Sequence, residues 1–299
     1  MSSELTRRIA FGVIAAPLGA AILLFGDWPL AALLAITAAL GARELFQMAR
    51  ATGLTPFDGV GSAIAGLIPL LVHARILRLY EPDGRLGALS VAALVILVVI
   101  ALAIWMRGVS GKPLTAVAVT IIGAVYTGGM LSFAYAIRYH PYASAPTSGS
   151  LFNLPSGGLL LLLPVLVTWA SDIGAYAVGR TMGKHKLIPS VSPGKTVEGS
   201  IGGLAASMLV AWAYTRFALH PSHLGFRYQP MGALAFGIIV SVAAQIGDLA
   251  ESLFKREAGV KDSSHLIPGH GGVLDRFDSL LFVMPVAFVL LNYMLTYAP

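Results

Sequence analysis

The stretch Ile267–Leu291, IPGHGGVLDRFDSLLFVMPVAFVLL, decides how the chain is read. From Leu280 it is an apolar run interrupted only by Pro285, while just before that run stand His270, Asp275, Arg276 and Asp278. A helix of about 20 apolar residues crosses the roughly 30 Å of hydrocarbon in a bilayer. Runs of this kind recur along the whole chain, which is 57% hydrophobic and only 11% charged over 299 residues, with a mean hydropathy of +0.79. A soluble domain is about a quarter charged, and the deficit excludes that class. The fold class expected is therefore all-α, a polytopic integral membrane protein with about nine transmembrane helices. The absence of cysteine excludes disulfides and thiolate metal sites. The net charge of +6 is read as basic loops that set topology and meet anionic lipid, with no nucleic acid involved.

The spans expected lie near 9–26, 29–49, 60–80, 86–106, 114–137, 158–180, 198–218, 231–254 and 276–297. The first two form a hairpin turned at Gly26-Asp27-Trp28-Pro29. The N-terminal Thr6-Arg-Arg segment is read as the start of the first span, not as a signal peptide, because eight further apolar spans follow it. The longest polar connection, 138–157, reads as an ordinary loop. With the N-terminus in the cytoplasm, 14 of the 20 Lys and Arg residues fall on the cytoplasmic side and 6 on the other. This asymmetry puts the charged loops 180–197 and 255–275 in the cytoplasm. Eight of the fourteen acidic residues lie from Asp172 onward. Residues 1–140 are accordingly expected to be scaffold helices, and 158–299 a C-terminal catalytic region.

Asp172 stands eight residues before Arg180, and Asp248 seven before Lys255. At about 1.5 Å of rise per residue, each lies roughly 10–12 Å inside its helix end. A charge at that depth costs several kcal/mol unless a partner or a wet cavity answers it. Two acids at one level predict a shared polar cavity open to the cytoplasm. Asp248, Glu251, Ser252 and Lys255 share one helical face by their spacing. Carboxylates at helix ends suit Mg²⁺, which takes one or two of them together with substrate phosphates. Lys255, Arg256, Lys261 and Arg276 suit phosphate oxygens. Gly271 and Gly272 let the backbone approach a ligand closely.

Gly194-Lys195-Thr196 imitates the end of a Walker phosphate loop, but position 189 is proline where that motif needs glycine. What remains is a helix start, with Ser192 as N-cap and Pro193 at the first helical position. Lys195 and the exposed N–H groups would form an anion site there, within reach of Glu198. No HExxH exists, and His265 and His270 lack partners at zinc-ligand spacing. Gly199 and Gly203 read as close helix packing.

From Ser252 to Asp278 the pattern S-x-x-K-R-x4-K-D-x5-P-G-H-G-G-x2-D-R-x-D resembles the signature of the phosphatidate cytidylyltransferase (CDP-diacylglycerol synthase) family. Upstream, Ser171-Asp172…Ala175-Tyr176…Gly179 and Ser192-Pro193-x-Lys195-Thr196-x-Glu198-Gly199 are similar to that family too. One departure is Gly194, where many members carry a second lysine. The resemblance implies CTP + phosphatidate → CDP-diacylglycerol + pyrophosphate in phospholipid biosynthesis, with Mg²⁺ as cofactor, a second metal ion in a two-metal variant, and a homodimer. It implies Asp248 and Asp275 as metal ligands, and Lys255, Arg256, Lys261, Asp262, His270, Arg276 and Asp278 as the catalytic set. Ser192, Lys195, Thr196, Glu198, Ser252, Gly271, Gly272 and Asp172 are then the substrate-binding candidates. CTP would enter from the cytoplasm and phosphatidate from the membrane lipid. The rival reading is an ion-coupled membrane transporter whose ion binds Asp172 and Asp248.

Overall fold

The computed structural model describes residues 17–77, 84–143, 155–267, 269 and 271–297. Among them the chain is helical almost throughout, and seven helices are long and apolar enough to cross a membrane. These are Asp27–Ala51, Asp58–Ile76, Leu89–Arg107, Pro113–Ala143, Ser156–Met182, Met231–Glu257 and Leu274–Met294. The expected count of nine is not reached among the described residues. The first expected span survives as α1, helical over 17–25, and its earlier half lies outside the described residues. The seventh corresponds to α8 (Val197–Tyr214), only 18 residues long and thinned in hydropathy by glycine, serine and Glu198. The loop read at 138–157 also lies partly outside the described residues.

The chain forms two compact units. The first comprises Met1–Leu30, Phe133–Leu253 and Arg276–Pro299. It holds α1, the end of α6 (Met130–Arg138), α7 (Ser156–Met182), α8, most of α9 (Met231–Glu257) and most of α10 (Leu274–Met294). The hairpin expected at Gly26 is present, because Gly26 adopts φ +74° between α1 and α2 (Asp27–Ala51). Three side chains that follow Ser132 close it. Arg138 donates to the Leu24 and Phe25 carbonyls at 2.9 and 3.1 Å, Tyr135 donates to the Asp27 carbonyl at 2.8 Å, and the Asp27 N–H reaches the Tyr139 hydroxyl at 2.9 Å. Arg138 thereby satisfies the orphan carbonyls that every helix C-terminus leaves.

In the same unit α7 and α8 meet backbone to backbone. A Cβ at Gly174 would stand 2.6 Å from Ala206 Cβ and 2.7 Å from the Gly202 carbonyl, and one at Gly203 2.9 Å from the Ser171 carbonyl. The glycines around 199–203 are thus packing residues, as expected. Ser207 Oγ adds a 3.1 Å bond to the Val167 carbonyl across this seam. Two small antiparallel ladders complete the unit. One pairs β1 (Lys186–Ile188) with β2 (Ser192–Thr196), the other β3 (Leu224–Phe226) with β4 (Leu295–Tyr297).

The ladder of β1 and β2 corrects one expectation. Ser192 and Pro193 do not open a helix; they lie in β2, and α8 begins at Val197 with Thr196 as its N-cap. The Thr196 hydroxyl accepts from Gly199 N at 3.1 Å, which answers one of the first-turn donors. Ser192 has no such task once residues 192–196 are drawn into pairing with 186–188.

The second unit comprises Ala31–Ser132 and Phe254–Asp275. It contains most of α2, α3 (Asp58–Ile76), α4 (Gly84–Arg107), α5 (Pro113–Ala124), a wide turn over Val125–Gly129, and the segment that carries most of the signature. Phe46, with no exposed surface, occupies the space that side chains at Gly61 and Gly123 would take. Phe57, Val99, Ala103 and Ala116 form a buried apolar cluster. Beside it Arg107 lies over the Phe57 ring at 5.0 Å and donates to the Thr55 carbonyl at 2.9 Å.

The glycine seam predicts a contrast between two substitutions. Gly174→Val should lower the stability of the detergent-solubilised protein by about 1–3 kcal/mol, the cost of overpacking a closed contact. Gly194→Ala, where nothing stands within 4 Å of the added Cβ, should leave it unchanged. Thermal unfolding followed by circular dichroism would read both.

Candidate active site

The first unit holds Asp172, Asp248 and Lys195. Asp172 on α7 lies close enough to Asp248 on α9 and to Lys195 on β2 for the three charges to be coupled. Lys195 Nζ stands 2.7 Å from Asp248 Oδ2, and both side chains remain partly exposed. Ser252, one helical turn on from Asp248, donates to Asp248 Oδ1 at 3.4 Å. Glu251, on the same helix, is fully buried and so belongs to the interior of α9. The β1–β2 hairpin is what carries Lys195 to Asp248.

Glu198 joins the end of α7 to β1. Its carboxylate accepts from Lys184 N at 3.0 Å and His185 N at 3.2 Å, and the His185 ring nitrogen stands 2.5 Å from it. It closes the chain between α7 and β1 onto the first turn of α8. His185 is a partner that the sequence reading missed. Arg180 donates to the hydroxyl of Tyr176, one turn away on α7.

In the second unit Lys255 Nζ stands 2.6 Å from Asp275 Oδ1, with 13% and 6% of these side chains exposed. Asp275 Oδ2 accepts from Ser263 N and Ser263 Oγ at 2.9 Å each and from Gly272 N at 2.8 Å. A buried lysine facing a carboxylate that also collects N–H and O–H groups is a fully compensated pair, the condition under which such burial is tolerated. Gly271 adopts φ +81°, and a Cβ there would come within 2.7 Å of Asp275 Oδ2. A Cβ at Gly272 would meet Glu44 Oε2 at 2.5 Å. Both glycines are therefore demanded by the loop's own packing on Asp275 and Glu44.

Glu44 on α2, which the sequence reading did not single out, is 4% exposed. It accepts from Ser263 Oγ, Ser264 Oγ, Val273 N and Leu274 N at 2.9, 2.6, 3.0 and 2.8 Å. Ser263 Oγ stands 2.9 Å from both carboxylates, so its single proton is shared between Glu44 and Asp275.

Arg256, Lys261, Asp262 and Arg276 are exposed; Arg256 donates to the Val260 carbonyl at 3.4 Å. Asp278 Oδ1 accepts from the neighbouring Ser279 N at 2.6 Å. His270 lies outside the described residues. Ile267 N donates to the Gly271 carbonyl at 2.9 Å and pins the two ends of that segment together. A cavity of about 390 Å³ lined by Ile64, Leu71, Val95, Ile121 and other residues of the second unit is apolar apart from Arg75, and it carries none of this chemistry.

The oxygen donors of the two sites are the carboxylates of Asp248 and Asp275, each beside a lysine. No group of three or more His, Asp or Glu residues able to hold a metal exists among the described residues, which leaves isolated carboxylates beside cations. Such carboxylates give a hard ion one or two ligands and leave the remainder to substrate phosphates. Lysines held at a carboxylate present a fixed positive charge to a polyanion.

Comparison with known proteins covers nearly the entire chain. The sequence model of the cytidylyltransferase family matches residues 6–294. A phosphatidate cytidylyltransferase from Synechocystis sp. is 32% identical over 296 residues, 95% of this chain and 95% of that protein. One from Staphylococcus haemolyticus is 36% identical over 228 residues, 75% of this chain and 85% of the relative. One from Staphylococcus saprophyticus is 49% identical over 142 residues, 47% of this chain and 52% of the relative.

The N-cap at Thr196 supplies the prediction for this region. Thr196→Ala should cost about 1 kcal/mol of stability, the usual worth of such a cap. Thr196→Ser should keep most of it, as thermal unfolding of the two variants beside the wild type would record.

Proposed function

The chain belongs to the cytidylyltransferase family, and on that premise we propose how its residues carry out the transfer. The reaction is CTP + phosphatidate → CDP-diacylglycerol + pyrophosphate. A phosphatidate oxygen attacks the α-phosphorus of CTP, the new P–O bond forms, the bond from the α-phosphorus to the bridging oxygen breaks, and pyrophosphate leaves with that oxygen. The second ionisation of a phosphate monoester falls near pH 6, about a unit below neutral. The nucleophile is thus already ionised and needs no general base. What the protein must supply is the approach of two polyanions and stabilisation of the departing charge.

The observation that carries this assignment is the pair of lysine–carboxylate contacts, Lys195 with Asp248 at 2.7 Å and Lys255 with Asp275 at 2.6 Å. Each lysine is oriented before substrate arrives, so little entropy is lost when a phosphate replaces or joins its partner. Ser252 offers a hydroxyl beside Asp248. Arg256, Lys261 and Arg276, exposed at the signature, draw CTP in from the aqueous phase and neutralise its phosphates. Asp172 is a third charged group near Lys195 and Asp248. Asp248 and Asp275 are the carboxylates assigned to Mg²⁺, one ion or two, which when bound offsets phosphate charge and favours the leaving pyrophosphate.

The helices belong to an integral membrane protein. We place it in the cell's inner membrane with nine spans, the N-terminus inside and loops 180–197 and 255–275 in the cytoplasm, on the bias of 14 basic residues against 6. In that topology residues 158–299 form the catalytic region, the first 140 are scaffold, and the enzyme works as a homodimer. Phosphatidate then stays in the bilayer while CTP arrives from solution. The transporter reading finds no support: the relative covering 95% of the chain is named a cytidylyltransferase.

Pyrophosphate release by purified protein, given CTP, phosphatidate and Mg²⁺, tests these roles. Asp275→Asn and Lys195→Met should each lower kcat by about 10²–10³, the usual cost of losing one charge-stabilising group. Wild-type turnover in either variant would remove that residue from the machinery.

A further inference from the structure

Glu44 sits on α2 between Ala42 and Phe46, which have no exposed surface. A carboxylate in such surroundings is costly unless fully hydrogen-bonded. Every one of its four bonds comes from a single distant segment, Ser263 to Leu274. Oε1 takes Ser264 Oγ and Val273 N; Oε2 takes Ser263 Oγ and Leu274 N. Val273 N and Leu274 N lead into α10, where a helix's positive end and its unsatisfied donors attract an anion. One acidic side chain of α2 therefore caps α10, the helix whose first turn carries Asp275.

We infer that Glu44 is a positioning residue for nucleotidyl transfer: it locks the Ser263–Ser264 arm and the start of α10 together, and so fixes the carboxylate of Asp275 against Lys255. The inference rests on the reading that Asp275 and Lys255 serve the transfer. All four donors that face the two Glu44 oxygens belong to the protein itself, so its role is to hold the loop. Its effect must pass through Ser263, which stands 2.9 Å from both carboxylates, and through the N–H groups of Val273 and Leu274. The requirement is for a carboxylate specifically. A glutamine has one acceptor oxygen, and whichever way its amide is turned, its NH₂ faces a backbone N–H, donor against donor.

The test compares wild type, Glu44→Gln and Ser264→Ala in detergent, reading kcat and KM for CTP per folded molecule and the rate of trypsin cleavage at the exposed Lys261. For Glu44→Gln the inference predicts a kcat lowered about 10–100-fold, the range seen when groups orienting a reactive site are removed, with KM for CTP changed far less. It also predicts cleavage at Lys261 several-fold faster in protein that still unfolds cooperatively. Ser264→Ala, losing one of the four bonds, should shift both readouts the same way by less. Wild-type kcat per folded molecule together with a wild-type cleavage rate in Glu44→Gln would overturn it. If Glu44→Gln does not fold, Ser264→Ala decides, and wild-type values of both readouts there would overturn it. A wild-type protein without turnover would instead sink the catalytic reading, while the cleavage rates would still report whether Glu44 holds the loop.

Discussion

An ionised carboxylate inside an apolar helical bundle must be answered by a cation or by an array of N–H and O–H groups, and the charged part of this chain is arranged around that demand. Asp248 is met by Lys195 and Ser252. Asp275 is met by Lys255, Ser263 and Gly272. Glu44 is met by two serines and the leading N–H groups of α10. At the buried Asp275 and Glu44 these contacts are strong, and each is costly to leave half made. Rigid placement of charge follows from the same physics that makes the burial tolerable.

That rigidity suits a reaction between two polyanions. A lysine already held by a carboxylate does not have to be ordered when phosphate arrives. The secondary structure serves the same end. The β1–β2 hairpin delivers Lys195 to a helix that starts far along the sequence, and the glycines at 271 and 272 let the loop close on Asp275 without a Cβ in the way. Glu44 ties α2 to the Ser263–Leu274 segment.

Much of this was legible in the sequence. The apolar runs gave the helices, and Asp172, Lys195, Asp248, Lys255 and Asp275 were singled out from depth, spacing and family resemblance. Glycine packing between α7 and α8 was also readable, because small residues a turn apart have few other uses. Ser192 was misread: Ser-Pro before a helix looks like a cap, and only pairing with Lys186–Ile188 shows that Thr196 takes the role. The contacts of Glu198 with the N–H groups of Lys184 and His185 were not legible, because backbone donors carry no side-chain signal. Glu44 was passed over for the same reason. It stands in α2, far in sequence from residues 263–274, and two of its four donors are backbone.

The most direct measurement follows phosphorus. Purified protein in mixed micelles would receive phosphatidate and CTP labelled at the α-phosphate, in parallel with CTP labelled at the γ-phosphate, and the organic and aqueous phases would be counted. The account predicts α-label in the lipid phase, dependent on phosphatidate, with γ-label recovered only as water-soluble pyrophosphate. Transfer of γ-label to lipid, or α-label that never leaves the aqueous phase, would contradict it.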